Sequence, residues 1–265
     1  MARVTSRAIG FFVSLLFSAS ANAGTVIVSG DTNIAHGIDG SELTNQGDNG
    51  IFFTNVLGAG KQVLIEDQLG GFDAAPIKTL YDGLGGVTTT VIGTAPTAAQ
   101  LSTADLFIDF EPTAAYDAGT IGGLSALLNR GGMVFFLGDN FIFDADNAVI
   151  NTDLAALGGA LQIVLNTLPV IDELDEPAIV VPNPLTAGVT NFTNVSTSAV
   201  SGGTPLFLSN DGRVPALPFV EDQTLGGPAP APAAEPASAS VLAVALVALG
   251  FARRRVAVSS DDRSL

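Results

Sequence analysis

The sequence predicts an α/β protein, a doubly wound and mostly parallel sheet with a β-rich C-terminal part. Three observations lead there. Short continuous apolar runs recur along the chain, as strands buried on both faces require. Segments of about ten residues with apolar side chains at helical spacing lie between them, which implies right-handed crossovers within one sheet. Beyond Pro182 the helical spacing stops, and Thr, Ser, Pro and Gly become frequent.

Taken in order, residues 26–28 read as the first strand and 63–65 as the second. Residues 87–92, a run of Val and Thr, read as the third. Further strands are expected at 106–110 and at 133–137, the latter preceded by Gly131-Gly132, then at 161–165, 179–181, 206–208 and 219–220. Helices are expected at 49–57 and at 74–84, where Ile77, Leu80, Tyr81 and Leu84 share a face. A short helical turn follows at 97–102. The stripe Ile121, Leu124, Leu127 and Leu128 predicts a helix over 120–129 that Gly131 can end in a left-handed conformation. Residues 147–157 end in the same way at Gly158-Gly159. Residues 31–50 read as a loop, and 182–220 as a hairpin or edge structure. No internal repeat is present.

Composition removes several classes of function. The chain has 265 residues, 47% of them hydrophobic, which suits a folded core and not a disordered acidic chain. It has no Cys, which excludes disulfides, thiolate metal sites, iron–sulfur clusters and a Cys nucleophile. One His excludes a His-rich zinc or copper centre. A formal charge of −16 argues against nucleic acid as a partner, because phosphate contacts need clustered Lys and Arg. Between 24 and 225 the basic residues are Lys61, Lys78, Arg130 and Arg213, so the body is more acidic than the whole chain suggests.

The two ends read as addresses. Arg3 and Arg7 precede the uncharged run 8–18, and Ala21-Asn22-Ala23 precedes Gly24, the pattern of a secretory signal peptide over 1–23 that engages the Sec export machinery. At the other end a Pro/Ala linker over 226–236 finishes in Ala234-Glu235-Pro236. The uncharged stretch 237–252 follows, and Arg253-Arg254-Arg255 closes it. Sixteen residues make a helix of about 24 Å, short for a hydrocarbon core of about 30 Å, although Arg side chains snorkel and a bilayer can thin locally. The Arg cluster orients the segment, leaving the body outside and an Arg-led tail, 253–265, in the cytoplasm.

Glu235-Pro236, a short apolar helix and an Arg cluster in that order resemble the PEP-CTERM sorting signal of Gram-negative bacteria. The resemblance implies an exosortase, a membrane transpeptidase-like enzyme, that recognises the tail and removes it on the way to the cell surface. It departs from the family at Ala234, where the motif has Pro, and in the ten residues after the Arg cluster. An ordinary permanent single-span anchor is the competing reading.

The body carries a second resemblance. Residues 104–110 (Ala-Asp-Leu-Phe-Ile-Asp-Phe) lead to a Leu-rich helix, then Asn129-Arg130-Gly131-Gly132, then 133–139 (Met-Val-Phe-Phe-Leu-Gly-Asp). With residues 183–189 and 204–208, this is similar to the class I glutamine-amidotransferase-like fold, including its non-enzymatic extracellular relatives. In enzymatic members a Cys occupies the turn after the strand matching 133–137. The resemblance places Asn140 near that position, and Asn is not a nucleophile that a neighbouring base can activate.

A serine hydrolase lacks its G-x-S-x-G, since Gly123-Leu124-Ser125-Ala126 falls inside the expected helix. Asp144-Ala145-Asp146-Asn147 offers oxygen ligands but breaks calcium-loop spacing at Ala148 and Val149, so no metal and no cofactor is expected. No Walker Lys follows a Gly cluster. What remains is a set of polar residues after expected strands: Asp31, His36, Glu42, Asp67, Asp109, Asp139 and Asn140. Clefts in open α/β sheets form beyond strand carboxyl ends, so these make a candidate ligand cleft. The competing reading is that such Asp and Asn cap helices and close turns.

The leading expectation is a non-catalytic exported cell-surface or matrix protein, transiently anchored in the inner membrane and linked to exopolysaccharide or biofilm. A carbohydrate-binding or hydrolytic domain using the carboxylate-lined cleft is the first alternative, with polysaccharide as partner. A permanently anchored periplasmic interaction protein is the second.

Overall fold

The computed structural model describes residues 23–41, 45–68, 73–166, 177–210, 212 and 215–225. The leader up to Asn22, Glu42, and the whole C-terminal signal, with Glu235, Pro236, Arg253, Arg254 and Arg255, lie outside the described residues. Among the described residues no helix is long and apolar enough to cross a membrane.

Five parallel strands form one side of an eight-stranded sheet: β1 (Gly24–Ser29), β2 (Gln62–Asp67), β3 (Thr88–Ile92), β4 (Leu106–Phe110) and β5 (Met133–Leu137). β4 and β5 are apolar and buried along nearly their whole length, as strands covered on both faces must be. A small β6 (Gln162–Ile163) pairs with β8 (Val200–Ser201) apart from the main sheet. The sheet is completed by β7 (Ile179–Val180), β9 (Thr204–Leu208) and β10 (Pro218–Leu225), giving the order β3-β2-β4-β5-β1-β10-β9-β7. β10 runs antiparallel to β1, and β9 antiparallel to β10.

Helices cover both faces, so the sheet is doubly wound. On one side α1 (Asn49–Leu57) and α2 (Ala74–Asp82) bury Phe52, Phe53, Val56, Ile77 and Tyr81 against Ile27, Ile65, Ile108 and Phe135. On the other, α3 (Ala98–Thr103), α4 (Ala118–Asn129) and α5 (Asp144–Ala156) place Leu101, Leu124, Leu127, Ile150 and Leu154 over Val28, Leu64, Phe107 and Phe136. Local chemistry sets the helix ends. Thr97 and Gln100 form a reciprocal capping box, Asp117 accepts from the Thr120 backbone, and Gly131 closes α4 at φ +82°.

The expected α/β architecture is present, with shifts at its margins. α4 begins two residues before 120 because Asp117 caps it, and α5 begins at Asp144, behind a 3-10 turn over Phe141–Phe143. The expected loop 31–50 contains a 3-10 helix, Asn33–Ile38, too short to show a periodic pattern. The expected strand 161–165 shrinks to β6. The C-terminal hairpin forms, but it inserts β10 directly against β1 instead of remaining peripheral.

Candidate functional site

β1, β2, β4 and β5 run parallel, so their carboxyl ends meet along one edge of the sheet. That edge carries Asp31 beyond β1, Glu66 and Asp67 at the end of β2, Asp109 and Glu111 at β4, and Asp139 beyond β5. Side chains alternate between faces along a strand, which divides these carboxyls into two groups.

The first group gathers Asp31, Glu111 and Asp139. Asp31 is fully buried; its Oδ1 accepts from the Asn33 backbone at 2.8 Å and its Oδ2 from the Val195 backbone at 2.7 Å. Burial, then the charge of Asp139, push its pKa up to about 8 against those two hydrogen bonds. Asp139 accepts from Thr32 Oγ1 at 3.3 Å and from the Asn140 backbone at 2.6 Å. Burial raises it to about 6. Glu111 is 4% exposed at a backbone φ of +44°, and its carboxyl hydrogen-bonds that of Asp139. Burial and the charges of Asp139, Asp73 and Asp146 raise Glu111 to about 8. A carboxyl–carboxyl hydrogen bond needs one proton, and Glu111 is the more basic partner that keeps it.

The second group lies on the α3–α4–α5 side. Glu66 and Asp109 are register partners on adjacent parallel strands, and both are fully buried. The Tyr116 hydroxyl hydrogen-bonds Glu66 Oε2 and, at 2.7 Å, Asp109 Oδ2. Gln68 donates to Glu66 Oε1 at 2.6 Å, while the Tyr116 backbone donates to Asp153 Oδ1 on α5 at 2.9 Å. Burial and the charge of Glu66 hold Asp109 well above the usual carboxylate range, and burial lifts Asp153 to about 6.

The remaining expected residues have local roles. His36 is 2% exposed in the 3-10 helix, with Nε2 2.8 Å from Asp73 Oδ1 and Nδ1 2.9 Å from Ser41 Oγ. Asp67 accepts from the Ala74 backbone at 3.1 Å, at the start of α2. Asn140 caps the 3-10 turn through Ile142 N, 3.0 Å away. The structure therefore brings Asp31, Asp139 and Asn140 together, turns Asp109 to the other face, and engages His36 with Asp73. Among the described residues no group of three or more His, Asp or Glu is arranged to hold a metal ion.

Sequence reasoning passed over Glu66, Asp73, Tyr116 and Asp153. Glu66 had a usable signal: it follows an apolar run at the same depth as Asp109 does, so aligning the two strand ends pairs them. Tyr116 follows Asp109 by seven residues but lies fifty from Glu66, and Asp153 comes from α5, so neither leaves a local pattern. At the opposite edge of the sheet lies a shallow cavity of about 370 Å³, lined by Leu57, Gly60, Asp105, Leu127, Arg130 and Gly132. Two Arg130 hydrogen bonds there go to the Leu101 and Ala104 carbonyls, at 3.0 and 3.2 Å.

No family model matches the sequence, and no curated protein does. Among solved structures the chain is similar to one described as the mmIFT52 N-terminal domain, at 14% identity and a TM-score of 0.42, over 62% of this chain and 81% of that one.

Proposed function

We propose that this chain is an exported, non-catalytic cell-surface or matrix protein of a Gram-negative bacterium, delivered by a PEP-CTERM-like tail that an exosortase-like enzyme removes. The observation that carries the reading is the order of Glu235-Pro236, the uncharged stretch 237–252 and Arg253-Arg254-Arg255 behind a Pro/Ala linker. In this reading the body has a class I glutamine-amidotransferase-like fold with Asn140 near the nucleophile position. The strand–helix alternation and the turn after β5 support it. Further support comes from Gly24 and Leu225, which are register partners. The two proposed trimming points therefore lie beside one another at one end of β1 and β10. To test the tail, the Glu235→Ala/Pro236→Ala double variant is expressed in the native host and followed by pulse-chase. Slower conversion to a smaller mature form is expected, and conversion unchanged in rate and size would overturn the sorting role.

A second reading, a carbohydrate-binding or hydrolytic domain at the carboxyl edge, is favoured by the convergence of Asp31, Glu111 and Asp139. Phe141, 40% exposed, sits two residues beyond Asp139 and offers a ring for a sugar face. A glycan array read on wild type and Phe141→Ala tests it. Binding lost in the variant supports this reading, and no binding to any glycan by wild type removes it.

A further inference from the structure

We propose that Glu66, Tyr116 and Asp109 form a single-proton latch, in which two carboxyls share one acid proton through a phenol, pinning the segment between β4 and α4 to the sheet at low and neutral pH and releasing it in alkali. A phenol has one hydrogen to donate, yet the Tyr116 oxygen hydrogen-bonds both Glu66 Oε2 and Asp109 Oδ2. If both carboxyls were ionised, one of these contacts would set two lone pairs against each other. One carboxyl must therefore carry a proton and donate it to the phenol oxygen.

Geometry says which. Glu66 has a second donor, since Gln68 Nε2 lies 2.6 Å from its Oε1, so a negative charge there is compensated. Asp109 has no such help: its Oδ1 is buried without a hydrogen-bond partner. The proton thus resides on Asp109, and the chain runs from the Asp109 acid to the Tyr116 oxygen and from the Tyr116 hydroxyl to the Glu66 carboxylate. Both hydrogen bonds point the same way, so each polarises the other. The groups acting on Asp109 are Glu66 from β2, Tyr116 from the segment before α4 and Asp153 from α5, none of them a cation. Burial and the two neighbouring carboxyls push the Tyr116 hydroxyl up as well, so the phenol stays protonated while Asp109 titrates.

The latch has a mechanical consequence. Glu111 is fixed to β5 by its N–H, which donates to the Leu137 carbonyl, and residues 112–117 have two further ties: Thr113 Oγ1 donates to Gln68 Oε1 at 2.7 Å, and the Tyr116 backbone to Asp153 on α5. Gln68 in turn holds Glu66, so the segment is bound to β2 largely through this one hydrogen-bonded group. Loss of the Asp109 proton places two carboxylates on adjacent strands around one hydroxyl, and the least costly relief is for Tyr116 to swing out, taking its segment with it.

The test is amide hydrogen exchange of Tyr116, whose N–H donates to Asp153, from pH 5 to 9, corrected for intrinsic rates, in wild type and Asp109→Asn. The Asn amide donates to the phenol oxygen as the acid does but cannot ionise. Wild type should lose protection by about tenfold per pH unit over the range in which closed Asp109 keeps its proton and opened Asp109 has lost it, the slope of an opening coupled to one proton, and Asp109→Asn should show no slope. Protection in wild type that is flat with pH, or a slope equal in both proteins, overturns the latch. A second readout needs no opening: the infrared difference between wild type and Asp109→Asn at pH 7 should contain the carbonyl band of a protonated carboxylic acid. Absence of that band also overturns the assignment.

Discussion

Glu111 combines three costs in one residue: a left-handed backbone at φ +44°, nearly complete burial, and a carboxyl hydrogen-bonded to another carboxyl. Its pH behaviour follows directly. In the unfolded chain it ionises at its ordinary 4.5, but in the fold it holds its proton up to about 8. The folded state thus binds the extra proton between those values, and the stability this contributes is complete below 4.5 and lost as pH rises through 8. Asp31, also raised to about 8, and Asp139, raised to about 6, act in the same direction. The urea midpoint should therefore be higher at pH 5 than at pH 8, and a midpoint that climbs over this range contradicts the assignment. Glu111→Gln keeps a donor towards Asp139 without the titration, so it should gain roughly 1–3 kcal/mol over wild type at pH 8 and little at pH 5. That such a pair exists could not be read from the sequence, because Glu111 and Asp139 meet only once β4 and β5 are in register. Their common position just past apolar strands was visible, but which faces they would take was not.

At the scale of elements, Asn49 shows how the loop region is held. It is fully buried at the start of α1, where its amide donates to the Ile34 and Thr193 carbonyls, both at 2.8 Å, and its Oδ1 accepts from Thr193 N at 2.9 Å. One side chain thereby joins the 3-10 helix, α1 and the segment after β7. Asn49→Ala should destabilise the protein by about 3 kcal/mol or more, because it leaves buried backbone groups unpaired, and urea denaturation measures it. Gly30 plays a related part. A Cβ there would stand 2.1 Å from the Ser198 carbonyl oxygen, so Gly30→Ala should displace residues 194–199 and lower thermal stability. Unchanged melting would contradict that close approach. The periodic elements were legible because apolar spacing is a local signal: α1 spans the expected residues, and β4 and β5 do as well. Non-periodic ties such as Asn49 to Thr193 were not, since nothing in the spacing of residues 49 and 193 brings them together.

For the whole molecule, an aromatic cluster joins the first half to the C-terminal hairpin. Phe52 on α1 meets Phe207 on β9 edge-on at 5.1 Å, and Phe192 stacks on Phe207 at 3.7 Å. Phe52→Ala should cost about 3–5 kcal/mol and lower the unfolding midpoint in one cooperative step. Separate transitions for the two halves would contradict a shared core. The charge distribution also has a direction: buried carboxyls gather at the carboxyl edge, while Gly24 and Leu225 lie together at the other end of β1 and β10. Under the proposed function residues 1–23 and 226–265 serve delivery alone. Intact-mass spectrometry of the protein recovered from the surface or medium of its native host tests this most directly. One species beginning at Gly24 and ending before Arg253 is expected; a species that retains Arg253–Leu265 contradicts delivery by a removable tail.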